Sequence, residues 1–494
     1  MRLICKGRPP CALTGPGGDA SLLLATGPAD GPPTAASKRP APPGPWEAAL
    51  REEFHTIDPT QTVVQSLGPA KIDNPIFKDT PYRKSLGRYV DEGVRMRVDP
   101  YDHPKTATCE VEPSFERAGP REKVYFDPTK LKAAIVTCGG MCPGINSLVR
   151  AIVLQLHYIY GVRNVVGVRY GLQGFIPKYG YDLMDLSPAT VQNVHGRGGS
   201  FLGMSRGSQP MDEIVDSLER QNIGLLFMIG GDGTLRAAQA ITEEITNRGL
   251  KTGVIAVPKT IDNDISFVEM TFGFQTAVEA ATRAILGAHN EATGAPNGVG
   301  LVKLMGRYSG FVAAHATLAL TEVNFCLIPE VDWDLEGPKG LLARLEERIG
   351  NRGHAVIVVA EGAGQKLFSD QDLGRDASGN VRLGDIGTLL KERINFNFKE
   401  RGQELNLKYI DPSYMIRSVP AEPNDRIYTG FLGHHAVHAG LAGKTGMLVS
   451  LWNNHYVHVT IKLSISHRSS VDPSGGLWRA VREATGQPDL VNEA

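Results

Sequence analysis

The chain has 494 residues, of which 41% are apolar and 21% are charged, and its formal net charge is −1. This length allows a large core, two folded domains and tails. A charge so close to zero gives no long-range attraction to nucleic acid or to an acidic membrane, and no apolar run approaches the ~20 residues of a membrane span. We therefore expect a globular protein with no nucleic-acid or membrane partner.

The first part of the chain differs in composition from the rest. Residues 1–45 are rich in Pro, Gly and Ala without periodicity, which predicts a disordered tail. Few acidic residues loosely suggest an organelle transit peptide, but Ser and Arg are sparse for one. A cytoplasmic protein is the expectation, with a plastid as the alternative. Residues 46–123 are polar and predict an N-terminal extension that wraps a neighbour rather than forming its own core.

The six cysteines fit neither a common zinc pattern nor a secreted disulfide framework. Cys138 and Cys142 flank a glycine turn. Two small buried thiols are the expectation for this pair, and a redox switch is the alternative.

The first clear strand is Ala133–Thr137, which runs into the sequence CGGMCPGIN and then a helical pattern from Ser147. Glycines such as Gly140 let the backbone turn tightly and approach a ligand, and the amino terminus of the following helix offers N–H groups to an anion. A second glycine-rich loop, residues 196–207, contains Arg206. Its planar guanidinium suits a phosphate, although a solvated surface arginine is the alternative.

The central pattern is two apolar runs, Leu225–Ile229 and Val254–Val257, which end in GGDGT and PKTIDND. Short apolar runs separated by a helical segment predict a βαβ unit with parallel strands whose carboxyl ends meet at one sheet edge. That edge then holds three acids and a lysine: Asp232, Asp262, Asp264 and Lys259. Carboxylates beside glycine-rich turns suit a Mg²⁺–nucleotide phosphate site.

Structural helices are predicted after this unit. Thr276 and Glu279 have the spacing of a capping box at the start of one helix. Residues 335–351 predict a charged amphipathic helix with a solvated face. His434 and His438 have the i, i+4 spacing of a metal pair, but no third ligand accompanies them, so structural histidines are the expectation.

The second half of the chain repeats the pattern of strands followed by polar turns. Further strands are predicted at Gly300–Leu304, Asn324–Ile328, Ala355–Ala360 and Gly446–Leu451. Arg307 in MGRYSG and Glu361 in EGAGQ follow two of these strands directly. Tyr414 and Arg417 would share a face on a helical turn, although nearby prolines make an irregular loop an equal alternative.

Five motifs, GGDGT, PKTIDND, MGRYSG, AEGAGQ and YIDPSYMIR, occur in this order and resemble those of the phosphofructokinase family, most closely its plant-type ATP-dependent branch. GGDGT alone is similar to motifs of NAD kinases and lipid kinases, whereas the five in order are specific. The resemblance covers roughly residues 50–490. It implies an α/β, phosphofructokinase-like fold: two Rossmann-like three-layer domains with the active site in the cleft between them. The implied parts are an ATP-binding domain (124–275), a fructose 6-phosphate-binding domain (276–416) and a C-terminal segment (417–494) that returns to the first domain.

The resemblance also implies an activity, namely phosphoryl transfer from ATP to the 1-hydroxyl of fructose 6-phosphate in glycolysis, with Mg²⁺ as cofactor and a homotetrameric assembly. By motif, Asp262 is the general base, Lys259 and Arg206 are the catalytic cations, and Asp232 holds the metal. The residues implied for ATP are Gly140, Arg206, Gly207, Gly231, Asp232, Gly233 and Thr234. Those implied for the sugar phosphate are Thr260, Ile261, Asp262, Met305, Gly306, Arg307, Glu361, Tyr414, Met415, Ile416 and Arg417.

The phosphoryl donor depends on two positions, Gly233 and Lys259. In the pyrophosphate-using branch the position of Gly233 resembles an aspartate, which would crowd and repel the α-phosphate of ATP, so glycine favours ATP. Lys259 is similar to the pyrophosphate enzymes, but plant-type ATP enzymes combine this glycine with this lysine. Two alternatives stay open: a pyrophosphate-dependent enzyme and a catalytically idle regulatory subunit. The place of a bacterial arginine that crosses the subunit interface falls near Asn297 and Gly298.

Overall fold

The computed structural model describes residues 57–77, 89–100, 112–370, 373–375 and 381–492. The predicted tail, residues 1–45, lies outside the described residues. The strands in chain order are β1 (Gln65–Ser66), β2 (Ile72–Asp73), β3 (Arg95–Arg97), β4 (Ser114–Arg117), β5 (Lys123–Val124), β6 (Lys132–Thr137), β7 (Asn164–Val168), β8 (Met184–Asp185), β9 (Leu225–Gly230), β10 (Gly253–Pro258), β11 (Gly298–Leu304), β12 (Phe325–Leu327), β13 (His354–Ala360), β14 (Asn406–Ile410), β15 (Lys444–Thr445), β16 (Met447–Trp452) and β17 (His455–Thr460).

The α-helices in chain order are α1 (Ile145–Leu154), α2 (Met211–Arg220), α3 (Asp232–Asn247), α4 (Phe274–Thr293), α5 (Phe311–Ala319), α6 (Leu341–Arg352), α7 (Ile386–Glu400), α8 (Ser413–Ser418), α9 (Pro423–Leu441), α10 (Ile461–Ser464) and α11 (Gly476–Thr485). A π-helical segment, Gln155–Tyr160, continues α1. None of the helices in the described ranges combines the length and the apolar character that a bilayer crossing requires.

The larger sheet has nine strands in the order β3-β4-β17-β16-β10-β9-β6-β7-β8. Its five central strands, from β16 to β7, are parallel, and antiparallel strands complete both edges. The apolar runs predicted as strands form β6, β9 and β10, which are buried on both faces as in other parallel sheets.

Alternate residues of these strands enter two different cores. Ile135 and Phe227 pack on one face of the sheet with α1 and α9. Ala134 and Met228 pack on the other face with α2 and α3. Because successive side chains of a strand point to opposite faces, a continuous apolar run is needed to fill both layers. The result is a three-layer α/β arrangement.

The smaller sheet has four parallel strands in the order β12-β13-β11-β14. It also separates two cores, one shared with α4, α5 and α11 and the other with α6 and α7. This second three-layer unit, together with the first, confirms the predicted α/β fold class. The boundaries of the two domains stay predictions.

Two helix starts differ from expectation. Helix α4 begins at Phe274, and Thr276 does not cap it; the backbone N–H and hydroxyl of Thr276 both donate to the carboxylate of Asp425, at 2.9 and 2.6 Å. The capping-box prediction is therefore wrong, because a tertiary partner replaces the local one. Helix α6 begins at Leu341 rather than at residue 335, and Gly337 before it has φ +92°. The helix is amphipathic as predicted, because Leu345 and neighbouring apolar side chains are buried while the polar side chains face outward.

The described parts of the N-terminal extension pack against their own chain. Strand β4 pairs with β17, and the indole N–H of Trp452 donates to the carbonyl of Val98 at 2.9 Å. At the other end of the chain, Val471 and Trp478 pack in the core of the smaller sheet. The end of the C-terminal segment thus contacts the smaller sheet, whereas β16 and β17 belong to the larger one.

Candidate active site

Three neighbouring strands of the larger sheet end at the same edge. Thr137 of β6 lies opposite Ile229 of β9, and Gly230 of β9 lies opposite Pro258 of β10. The turns that follow β6, β9 and β10 therefore open side by side, as the sequence predicted. They carry the glycines after β6, the GGDGT residues and the TIDND residues.

Three cationic side chains meet at the turn after β6. Lys259 Nζ donates to the carbonyl oxygen of Gly140 at 2.6 Å. A Cβ built on Gly140 would lie 3.5 Å from Arg206 Nη2 and 3.8 Å from Arg417 Nη1. Gly139 has φ +84°, a conformation that favours glycine. Cations and a close backbone turn make this a place that suits phosphate groups.

Burial changes the chemistry of Lys259, whose exposed fraction is only 5%. Burial lowers the pKa of Lys259, and the charge of Arg206 lowers it further, while the carboxylate of Asp262 opposes both. An anionic ligand close to this buried amine would stabilise its charged form. This environment is consistent with a site that receives phosphates.

Asp262 is a buried carboxyl group at this edge whose pKa is strongly raised. Burial, and then the charges of Asp264 and Glu361, raise the pKa of Asp262 to about 8. Its Oδ1 is buried and accepts no hydrogen bond, while its backbone N–H donates to Thr260 Oγ1 at 3.0 Å. A buried carboxyl oxygen without a partner, beside a lysine, is available to accept a proton from a bound hydroxyl.

Asp232 begins α3, directly after the N-cap Gly231. Its carboxylate pairs with Arg236, at 3.2 Å, and with Arg468, at 3.0 Å. The charge of Asp232 contributes to raising the pKa of Asp264, after the larger effect of burial, so the two carboxylates lie near each other. Gly233 and Thr234 follow in the first turn, and a Cβ on Gly233 would meet nothing within 4 Å.

The MGRYSG turn after β11 reaches the same edge from the smaller sheet. Ser309 Oγ donates to the carbonyl oxygen of Asp262 at 2.8 Å. Gly306 has φ +131°, and its carbonyl accepts the N–H of Gly362 at 3.0 Å, which joins the MGRYSG turn to the turn that carries Glu361. Burial raises the pKa of Glu361, and the charge of Arg307 opposes this effect. Arg307 also donates to the carbonyl of Val381.

Tyr414 and Arg417 lie on α8, with the guanidinium carbon of Arg417 4.8 Å from the centre of the Tyr414 ring. The shared helical face is confirmed, and the alternative of an irregular loop is wrong. Helix α8 contacts the glycine-rich loop closely, because a Cβ on Gly198 would lie 1.7 Å from the carbonyl oxygen of Ser418. The side chain of Tyr414 is 77% exposed.

Some candidate residues direct their side chains away from the site. Ile261 and Ile416 are buried in the core of the larger sheet, and Met305 packs partly against it. These three contribute through the backbone alone or as packing. Met415 is 71% exposed on α8. Gly207, with φ +93°, ends the loop that carries Arg206.

Cys138 and Cys142 are buried, whereas His434 is exposed and His438 is partly buried. Burial raises the pKa of Cys138 to about 12 and raises that of Cys142 further, so the reactive thiolate is disfavoured at both. Burial lowers the pKa of His438, whose Nδ1 lies 2.7 Å from the hydroxyl of Tyr160.

Sequence reasoning missed Tyr308 and Arg468. Tyr308 lies inside the MGRYSG motif, but nothing in that motif indicated that its ring would stack against the guanidinium of Arg468. Arg468 lies 236 residues after Asp232, and no local pattern around it signals a role in the site.

The fold and the site together define an α/β protein with cationic side chains and buried carboxyl groups at the carboxyl edge of a parallel sheet, joined to a second sheet through the MGRYSG turn. Comparison with known proteins agrees with this class. The profile of the phosphofructokinase family matches residues 132–440. The chain belongs to the phosphofructokinase family.

Curated relatives match over most of the chain. The ATP-dependent 6-phosphofructokinase of Borreliella burgdorferi is 48% identical over 431 residues, covering 86% of this chain and 96% of that protein. The enzyme of the same name from Amycolatopsis methanolica is 45% identical over 439 residues, covering 86% and 94%. The chloroplastic ATP-dependent 6-phosphofructokinase 5 of Arabidopsis thaliana is 48% identical over 411 residues, covering 81% and 76%.

Solved structures show the same fold at low identity. A pyrophosphate-dependent phosphofructokinase from Marinobacter aquaeolei has a TM-score of 0.59 and 19% identity, covering 74% of this chain and 92% of that one. Pichia pastoris phosphofructokinase has a TM-score of 0.55 and 21% identity, covering 78% and 39%.

Proposed function

We propose that this chain is an ATP-dependent 6-phosphofructokinase, which transfers the γ-phosphoryl group of ATP to the 1-hydroxyl of fructose 6-phosphate and forms fructose 1,6-bisphosphate. One observation carries the proposal. Lys259 and Arg206 converge with Arg417 at the turn of Gly140, so Arg417, implied for the sugar phosphate, meets Arg206 and Gly140, implied for ATP. Relatives at 45–48% identity carry the name of this activity.

In this mechanism Asp262 accepts the proton of the sugar hydroxyl as that oxygen attacks phosphorus. Its unpartnered Oδ1 is the accepting atom, and Lys259 stabilises the carboxylate form by charge. Phosphoryl transfer needs positioning and stabilisation of negative charge more than covalent help from the protein. Lys259 and Arg206 supply positive charge on the donor side, and Arg417 with Arg307 would hold the sugar phosphate.

The residues fit a magnesium ion that arrives with the nucleotide. Within the described ranges, no group of three or more His, Cys, Asp or Glu side chains is arranged as a protein cage for a metal. Mg²⁺ in kinases is held by one or two carboxylates, water and the substrate phosphates, so no cage is required. Asp232 would hold the ion, which supplies neutralisation of phosphate charge when bound. The charge of Asp232 acts on Asp264, so the positive charge of the ion would also offset that of Asp264.

Gly233 supports ATP as the donor, and a substitution there tests this choice. A Cβ at Gly233 meets open space, so Gly233→Asp is expected to fold normally and to act on the ligand alone. The carboxylate would repel the α-phosphate of ATP, and we expect kcat/KM for ATP to fall about 10²-fold, as for the loss of one charge-stabilising contact. Gly233→Asn is the matched control for size without charge.

The decisive experiment is a steady-state assay of the purified chain with ATP or pyrophosphate as donor and fructose 6-phosphate as acceptor. Turnover with ATP supports the proposal. Activity with pyrophosphate alone would identify the pyrophosphate-dependent alternative, and no turnover with either donor would favour an idle regulatory subunit. With Gly233→Asp, an unchanged kcat/KM for ATP would contradict the role of this glycine.

Other features are proposed from the family alone. We propose a homotetramer, a division of the chain into an ATP-binding domain at 124–275, a fructose 6-phosphate-binding domain at 276–416 and a C-terminal segment at 417–494, and a cytoplasmic location with a plastid as the alternative. Sedimentation velocity of the purified chain tests the first of these.

A further inference from the structure

Arg468 reaches the site from the C-terminal part of the chain. The backbone of Arg468 forms an antiparallel β-bridge with Ile265, just after the TIDND turn. The adjacent backbone is anchored as well: Ser469 N–H donates to the carbonyl of Asp264 at 3.1 Å, and Ser266 Oγ donates to the carbonyl of His467 at 3.0 Å. The position of Arg468 is therefore set by backbone contacts on both sides of it.

The guanidinium of Arg468 contacts two functional groups and acts on a third through its charge. Nη2 donates to Asp232 Oδ2 at 3.0 Å, and the guanidinium carbon lies 4.1 Å from the centre of the Tyr308 ring. Its positive charge lowers the pKa of Asp264 against the larger effect of burial. Arg468 thus lies between the GGDGT residues, the TIDND residues and the MGRYSG turn.

Asp232 pairs with a second arginine, Arg236, whose side chain is more exposed than that of Arg468. Arg236 is one turn along α3 from Asp232 and contacts both oxygens of its carboxylate, at 3.2 and 3.3 Å, but its side chain is 55% exposed, so the pair has small energetic weight. The side chain of Arg468 is 33% exposed and is stacked on Tyr308. Stacking and a fixed backbone make Arg468 the pre-organised partner.

We propose that Arg468 is a built-in counter-cation of Asp232, which keeps free divalent cations from this carboxylate, so that the metal enters as its nucleotide complex. The inference rests on the proposed function, in which Asp232 is the metal ligand. A free ion must displace Arg468 from Oδ2 and leave two cations side by side. A metal–nucleotide complex brings phosphate oxygens, which give the guanidinium an alternative anionic partner and complete the coordination of the ion.

Arg468 is in this sense a positioning residue. It holds the rotamer of Asp232 and balances the charge of the acidic side chains at the sheet edge before any ligand binds. It does so at the junction of the two sheets, because Asp232 follows β9 of the larger sheet and Tyr308 follows β11 of the smaller one.

The test is binding of free Mn²⁺, without nucleotide or sugar, followed by electron paramagnetic resonance. We expect Arg468→Gln to bind Mn²⁺ about tenfold more tightly than the unmodified chain, since the stacked guanidinium no longer competes for Oδ2 and only the more exposed Arg236 stays beside the carboxylate. Arg283→Gln is the matched control, because Arg283 pairs with Glu279 on an exposed face of α4 and its side chain is 77% exposed. An affinity of Arg468→Gln equal to that of the control would refute the inference.

A second measurement does not depend on the folding of Arg468→Gln. If Arg468 keeps free metal from Asp232, then Asp232→Asn binds free Mn²⁺ no more weakly than the unmodified chain. A marked loss of free Mn²⁺ affinity in Asp232→Asn would show that the carboxylate already binds the free ion, and would overturn the inference. Turnover with ATP and fructose 6-phosphate is measured separately. If the chain is an active kinase but neither metal-binding result is as expected, this inference is refuted and the proposed function stands.

Discussion

Substitution of Asp262 by Asn separates its catalytic role from its structural cost. The change removes the proton acceptor and keeps the side-chain volume. General-base help is worth ~10²–10⁴-fold, so we expect kcat to fall by this order while the dissociation constants of both substrates change little. A coupled assay at saturating ATP and fructose 6-phosphate measures the first effect, and calorimetric titration measures the second.

The same substitution is expected to stabilise the fold. The pKa of Asp262 is raised from 3.8 to about 8, so its contribution to stability is complete below pH 3.8 and is lost as the pH rises towards 8. The full shift corresponds to about 6 kcal/mol, of which about 4 kcal/mol is lost by pH 7. Because the side chain keeps some contact with solvent, we expect Asp262→Asn to gain about 2 kcal/mol in the free energy of unfolding at neutral pH. The gain should vanish near pH 4.

The pH dependence of the unmodified chain follows from the same carboxyl group. A base with a raised pKa is protonated in much of the free enzyme at neutral pH, so kcat/KM should rise with pH and level off above about pH 8. Asp182→Asn, on an exposed loop, is the control for a generic charge change. Near-normal kcat in Asp262→Asn, or a kcat/KM that is flat between about pH 6 and about pH 9, would refute the reasoning.

Two further substitutions test the supports of the site and of the larger sheet. Gly198→Ala places a methyl group 1.7 Å from the carbonyl oxygen of Ser418, so α8 must shift, and we expect the KM for fructose 6-phosphate to rise about tenfold. Gly196→Ala is the control, because a methyl group there meets open space and should leave this KM unchanged. Equal KM values for the two variants would contradict the reasoning. For Glu116, burial would raise the pKa, but the hydrogen bond of His458 and the charge of Lys444 lower it from 4.5 to about 2. Its stabilisation is therefore present above pH 4.5 and lost as the pH falls towards 2, and Glu116→Gln should cost about 3 kcal/mol in urea unfolding at neutral pH, with the difference shrinking in acid. A difference that grows on acidification would contradict the assignment.

Much of the fold was predictable because its signals are local. The apolar runs of β9 and β10 end at glycine-rich turns, and a parallel βαβ unit brings both ends to one edge. Helix boundaries were less predictable where a distant residue replaced a local cap. Thr276 bonds to Asp425, 149 residues further along the chain, and this contact leaves no periodic trace in the sequence.

The candidate site was also only partly predictable from the sequence. Motif order alone placed Asp232, Lys259 and Asp262 at one edge and indicated the family. It did not distinguish a side chain in the site from one in the core, as at Ile261 and Ile416, because both kinds lie within the same short motifs.

The sequence by itself determined the strands, the turns and the residue types of the phosphate site, since these depend on neighbours in the chain. Only the tertiary structure decided the electrostatics of that site. The pKa of Asp262 is raised by burial and then by the charges of Asp264 and of Glu361, which follows a strand of the other sheet, and Asp232 has a partner in Arg468 near the C-terminus. Charge interactions depend on distance through space and on exclusion of water, and neither is written in local order along the chain.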